Sequence, residues 1–272
     1  MSRIVTAVVV LPVLIASILI ERLAPLFVLL ALAAMLLGLY EFWLLSKRPG
    51  VKPDVAVGFL GAAALFTGFF FDAPGRSPDL LLITLLGFTI AALVSAMLRG
   101  APFDKMIASV GATITGVLYV VLLGGHLVAM RTGFEQVLSA DLLSFFFLIL
   151  MGSDTGAYYT GRVLGRHKLA PGISPGKTWE GAIGGMLTSL LLAVLAHFWF
   201  FPELPLLAAL PLAALMNILG VIGDLTESAL KRGAGAKDAA QILPGHGGLL
   251  DRLDSLLFNA PVIYYFGRLY FG

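Results

Sequence analysis

The chain has 272 residues, 59% hydrophobic and only 12% charged, with a mean hydropathy of +0.96, whereas soluble globular domains carry about 25% charged residues; a water-soluble globule is excluded. Its 18 basic and 16 acidic residues nearly balance, so net charge points to no nucleic-acid role. With no cysteine there are neither disulfides nor thiolate metal sites.

Apolar residues come in runs of about 18 or more, enough to cross a hydrocarbon core of about 30 Å as helices. The expectation is an all-α, polytopic transmembrane protein with about nine spans, at 4–20, 23–45, 55–71, 80–98, 106–130, 137–159, 180–201, 204–223 and 255–271. The first run follows Ser2-Arg3 and ends at Glu21-Arg22 without a small-residue cleavage site, so it reads as a span and not as a signal peptide. The second carries Glu41 near its end, and the fifth is interrupted by Gly124-Gly125-His126. If the N-terminus is cytoplasmic and every span crosses, 14 of the 18 lysines and arginines fall inside; Arg22, Arg76, Arg131 and Arg268 fall outside. Cytoplasmic loops are enriched in these residues, so the N-terminus is expected inside and the C-terminus outside.

Residues 1–135 read as packing and lipid-facing helices; residues 136–272 carry two polar loops on the inner side, TGRVLGRHKLAPGISPGKTW at about 160–179 and DLTESALKRGAGAKDAAQILPGHGGLLDRLD at 224–254. No internal repeat supports a transporter built from duplicated halves. Asp154, Asp224, Asp251 and Asp254 flank these loops at membrane level. Ionisable groups at that depth are costly and mark function by default; the simpler reading, carboxylates snorkelling to water one by one, does not explain several converging beside basic loops. If the eighth span continues as a helix past Gly223, then Asp224, Glu227, Ser228 and Lys231 share one face, with Asn217 on the same stripe. A solvated helix extension would account for Glu227 and Lys231 but not for Asn217. The Gly- and Ala-rich loop that follows is long enough to fold Asp251 and Asp254 back onto this face.

Carboxylates without thiols, and with few histidines, make a hard oxygen site suited to Mg²⁺, and adjacent lysines and arginines suit phosphate oxygens. Together they describe phosphoryl or nucleotidyl transfer. The segment GISPGKT, Gly172 to Thr178, resembles a phosphate-binding P-loop. It has three residues between its glycines instead of four, lacks a preceding strand and runs into an apolar span. It is not read as one, although Lys177 stays a candidate phosphate ligand beside its simpler role as a positive-inside anchor. His126, His167 and His197 stand alone and read as structural, whereas His246 sits between glycines and near Asp251.

From Ser228 to Asp254 the chain reads SALKRGAGAKDAAQILPGHGGLLDRLD. This closely resembles the signature of the phosphatidate cytidylyltransferases, or CDP-diacylglycerol synthases: S-x-x-K-R-x4-K-D followed by P-x-H-G-G-x-x-D-R-x-D. SDTGAY at 153–158, SPGKTWEG at 174–181 and the opening Arg3-Ile-Val-Thr6 also look like that family. The resemblance implies transfer of CMP from CTP to phosphatidate, giving CDP-diacylglycerol and pyrophosphate in phospholipid biosynthesis, with Mg²⁺ as cofactor. It implies that Asp224 and Asp251 bind the metal. Asp224, Asp251, Asp254 and Lys231 would carry the reaction, and Ser228, Arg232, Lys237, Asp238 and His246 would surround the phosphates. Asp154 and Lys177 fall on the other matching segments and would contact the nucleotide. It further implies a homodimer in the bacterial inner membrane, its dimer contacts in the N-terminal half and its polar cavity open to the cytoplasm. Because the acceptor is already a phosphate monoester with a second pKa near 6, no obligatory base is expected, and His246 would orient phosphate. Two competing readings are another CTP-dependent lipid enzyme, such as a polyprenol kinase or an archaeol-type cytidylyltransferase, and an ion or solute transporter using Asp154 and Asp224 as a relay. The second predicts flux without CTP.

Overall fold

The computed structural model describes residues 2–46, 50–100, 103–236 and 248–272, with side chains from residue 10 onward. Within these residues the chain is an all-α membrane protein with one small hairpin. Its helices are α1 (Ser2–Leu19), α2 (Ala24–Ser46), α3 (Val55–Phe70), α4 (Ala73–Arg76), α5 (Pro78–Leu98), α6 (Met106–Gly116), α7 (Leu123–Gly133) and α8 (Gln136–Leu164). After the strands β1 (Lys168–Ala170) and β2 (Ser174–Thr178) come α9 (Trp179–Trp199), α10 (Leu206–Gly233) and α11 (Leu250–Phe271). Glu21–Ser46, Pro78–Leu98, Phe103–Gly133, Gln136–Leu164, Trp179–Trp199 and Leu206–Gly233 are long and apolar enough to cross a membrane. Val10–Leu19 and Val55–Phe70 are shorter apolar helices; six of the described helical stretches, against about nine expected spans, thus have the length and apolarity to cross, and the span expected at 106–130 is divided among α6, Val117–Leu122 and α7.

In lipid every backbone polar group must be satisfied within the chain, so apolar runs of this length become helices. Packing follows the small residues. On α5 only Phe88, Ala92 and Ala96 are buried, a single stripe with four-residue spacing; the Phe88 ring lies where a side chain on Gly61 of α3 would stand. Its other faces are apolar and exposed, as at Ile83, Ile90 and Leu98, which is the surface a lipid-facing helix presents. Trp43, Phe69, Phe145, Phe146, Ile149 and Tyr264 form the centre of the core. The N-cap of α3 is Asp54, which accepts from the Val57 N–H at 3.1 Å and pairs with Arg99 at 3.2 Å. Burial raises its carboxyl, but the Ser95 hydroxyl, the Val57 amide and Arg99 together hold it below the usual carboxylate range.

Two expectations need correction. Gly124-Gly125 does not break the fifth span. Helix continues through it as α7, and the irregularity lies earlier, where Val117–Leu122 winds as a π-helix. The glycines serve packing: the Phe69 ring occupies the space beside Gly125, and Met35 and Leu257 lie against Gly124. Nor is the polar segment after α8 simply a loop. Lys168–Ala170 and Ser174–Thr178 pair antiparallel, Lys168 with Thr178 and Ala170 with Ser174. A strand does therefore precede GISPGKT, contrary to the reading from sequence; but five of that segment's seven residues, Ser174 to Thr178, are themselves the second strand, so it forms no phosphate-wrapping loop.

The most extensive packing joins α8 to α9, then α10 to α11 and α9, and α11 also lies against α7 and α2. One end of the bundle therefore gathers the C-terminal ends of α8 and α10, the hairpin, and the N-terminal ends of α9 and α11.

Candidate active site

Helix α10 does run on through Gly223 to Gly233 without a break. Asp224, Glu227, Ser228 and Lys231 consequently stand on one face, and the Ser228 hydroxyl donates to Asp224 Oδ1 at 3.4 Å. Glu227 is not on a solvated extension: it is fully buried, as is Asn217 to within a few per cent. A buried carboxylate needs a partner, and Lys231 Nζ lies 2.5 Å from Glu227 Oε2. The same ammonium donates to Asp251 Oδ1 at 2.5 Å. Asp251 Oδ2 in turn accepts the Gly248 N–H at 3.0 Å. The start of α11 is thus folded onto α10, and the backbone permits it: the Asp254 carbonyl sits where a side chain at position 223 would point, so only glycine admits this approach.

Beside this triad is a cavity of about 480 Å³, lined in part by Asp154, Tyr158, Arg162, Ser174, Lys177 and Asp224, within the size range of small-molecule sites. Thr178 caps α9 by accepting the Gly181 N–H at 3.1 Å, which fixes the end of β2 and aims Lys177 inward. Lys177 Nζ lies 2.6 Å from Asp224 Oδ2. Asp154, Asp224 and Asp254 are close enough to interact electrostatically with one another and with Lys177. Arg232 is exposed and donates from Nε to the Ile173 carbonyl at 3.4 Å, tying the end of α10 to the hairpin turn.

Of the residues expected in the site, the fold brings Asp154, Lys177, Asp224, Ser228, Lys231, Asp251 and Asp254 to one end of the bundle, with Arg232 at its edge. Lys237, Asp238 and His246 lie outside the described residues. Sequence reasoning passed over Tyr158 and Arg162, although 154, 158 and 162 recur at four-residue intervals and share a helix face. It also passed over Tyr119, on the π-helical turn, a type of irregularity frequent at functional sites. Its buried hydroxyl has no hydrogen-bond partner among the described residues and interacts electrostatically with Asp254, Glu227 and Asp224.

The donor set is oxygen only, which fits a hard cation. No three carboxylates or imidazoles converge on one point among the described residues. The fit is therefore to an ion held by one or two carboxylates and completed by phosphate oxygens and water, the usual mode for Mg²⁺. Lysines facing the carboxylates can exchange them for phosphate oxygens. Chemically, this arrangement of lysines and carboxylates can bind and neutralise phosphate groups at one end of the bundle.

The sequence model of the cytidylyltransferase family matches residues 1–270. The phosphatidate cytidylyltransferase of Haemophilus influenzae is 45% identical over 129 residues, 46% of this chain and 45% of that protein. The enzyme of that name from Bacillus subtilis is 44% identical over 118 residues, 43% of this chain and 44% of that protein. The uncharacterized protein YnbB of Escherichia coli is 40% identical over 193 residues, 70% of this chain and 63% of that protein. The chain spans about half the length of the curated phosphatidate cytidylyltransferases it matches.

Proposed function

The chain belongs to the cytidylyltransferase family, and from that premise we propose that it transfers CMP from CTP to phosphatidate, releasing pyrophosphate. The observation that carries this reading is the convergence, around one cavity at the end of a membrane bundle, of Asp154, Lys177 and Asp224 beside the Lys231–Asp251 pair. A lipid acceptor accounts for a polar site at the ends of transmembrane helices. A nucleotide donor accounts for lysines and carboxylates without a nucleophilic serine or cysteine.

In this reading a phosphatidate oxygen attacks the α-phosphorus of CTP; the new P–O bond forms as the bond to the β-phosphate oxygen breaks, and the electron pair leaves on pyrophosphate. Lys177 and Lys231 exchange their carboxylate partners for phosphate oxygens and neutralise the growing charge. Asp224 and Asp251, released from the lysines, would hold Mg²⁺, which supplies further charge neutralisation on the phosphates. Asp254 and Asp154 set the field around that position, Ser228 orients Asp224, and Arg232 holds the hairpin against α10. The acceptor ionises near neutrality, so no base of the protein is required. We assign Lys237, Asp238 and His246 to phosphate contacts from the signature they match. In the same reading we propose a bacterial inner-membrane location, a homodimer and a site facing the cytoplasm where CTP is found; the distribution of basic residues supports that orientation.

The test is an assay of purified protein with labelled CTP, phosphatidate and Mg²⁺. CDP-diacylglycerol is expected, with at least about a hundredfold loss in Asp224→Asn and Asp251→Asn, the order typical of removing a principal charge-stabilising group. Absence of product from the unaltered protein, or undiminished product from both variants, overturns the reading. A loss of turnover on chelating Mg²⁺, restored by adding it back, is expected in the same assay.

A further inference from the structure

Glu41 lies near the end of α2, in a stretch of high mean hydropathy, and is fully buried. An ionised carboxylate in such a place is costly unless it is hydrogen-bonded, so its partners define its purpose. Those partners are not on its own helix. Glu41 Oε1 accepts the Leu249 N–H at 2.9 Å, and Oε2 accepts the Leu250 N–H at 2.7 Å. These are the first amides of α11, which has no side-chain cap of its own. Amides at a helix start have no acceptor within the helix and attract negative charge. Here a carboxylate from a helix about two hundred residues earlier supplies both acceptors.

The same face of α2 is shaped for close approach. Gly38, one turn before Glu41, meets Leu253 and Leu250 of α11, and a methyl group there would stand 3.2 Å from Leu253 Cδ1. Immediately after the capped amides come Asp251 and, one turn on, Asp254. Asp251 itself takes the Gly248 N–H at 3.0 Å. Three successive amides, at 248, 249 and 250, therefore end on carboxylates, so three hydrogen bonds hold the backbone where α11 begins.

We propose that Glu41 is a positioning residue: its carboxylate clamps the first turn of α11 and thereby fixes the direction in which Asp251 and Asp254 enter the site. The inference rests on the proposed function, since only a reaction at those aspartates gives their aim a consequence. It assigns to the second helix a part in the chemistry beyond packing, although Glu41 touches neither the cavity nor the lysines.

The experiment uses the full chain in detergent, comparing the unaltered protein with Glu41→Gln and Glu41→Asp. The carboxamide turns an N–H toward one of the two amides. Aspartate keeps the charge but is one methylene too short to reach both. Expected are amide exchange at residues 249 and 250 faster by about tenfold or more as two local bonds weaken, and kcat per folded molecule lower by about 10- to 100-fold, the cost of misplacing reacting groups by about an ångström. KM for CTP should stay within about threefold, because substrate positioning and substrate affinity are separable. Faster exchange with unchanged kcat makes Glu41 a structural cap only and overturns the proposal, as does unchanged exchange. Failure of both variants to fold also overturns it, by placing Glu41 in the scaffold. If the unaltered protein makes no CDP-diacylglycerol, the proposed function fails instead, a result read before any variant is compared.

Discussion

Lys231 is the residue on which the buried charge of the site balances. Its ammonium sits between Glu227, whose side chain is 1% exposed, and Asp251, at 16%. Removing one member of a buried pair leaves an uncompensated charge, at about 3–5 kcal/mol. Lys231→Met is accordingly expected to destabilise by about 3 kcal/mol and to abolish CMP transfer. Adding Glu227→Gln removes the stranded carboxylate, so the double variant should regain more than half of the lost stability while staying inactive. Thermal unfolding in detergent measures the first quantity and the CTP assay the second; a single variant of unaltered stability would mean that Glu227 takes up a proton instead of standing as a stranded charge. Lys177 differs, because Asp224 beside it is 39% exposed. Screening by solvent makes that pair worth little to stability, so Lys177→Met should leave unfolding almost unchanged and lower turnover.

The elements that hold these residues were legible to different degrees, for reasons visible in their sequences. Helix α10 could be read past the membrane boundary because Asp224, Glu227, Ser228 and Lys231 keep helical spacing after the apolar run ends. The burial of Glu227 could not, since Tyr119 and the start of α11, which approach it, come from distant segments. The hairpin was missed because 168–178 shows neither alternation nor an apolar face and contains Pro171 and Pro175, both depleted in strands. The π turn lies inside VLYVVL, an apolar run with no period to betray it. Glu41 stood out as a charge in a span, but its purpose depended on which amides α11 would bring to it. At the junction of β2 and α9 the fold rests on one cap and one close approach. Thr178→Ala loses the acceptor for the Gly181 N–H and should cost about 1 kcal/mol, with Thr178→Ser nearly neutral. Gly181→Ala places a methyl 2.9 Å from the Ala157 carbonyl, which forces α8 and α9 apart. It should therefore lower activity more than Thr178→Ala does, and equal activity in the two would show that cavity width is unimportant.

At the scale of the molecule, the asymmetry of charge and the position of the site make a joint prediction. Lys168 and Glu203 are both exposed, and α9 is the one helix between them, the hairpin lying wholly on the side of Lys168, so they must emerge on opposite faces if α9 crosses the membrane. The basic residues favour the cytoplasm for the face that bears the hairpin, which is also the face where the nucleotide is found. The chain contains no cysteine, so a single Lys168→Cys or Glu203→Cys gives a background-free probe. A membrane-impermeant maleimide applied to intact cells is expected to label the variant at 203 and not that at 168, and inverted vesicles should reverse the pattern. Labelling of both from one side would show that α9 does not cross. Reversed labelling would put the cavity on the face without CTP, and the proposed reaction could not proceed there, however well the carboxylates and lysines were arranged.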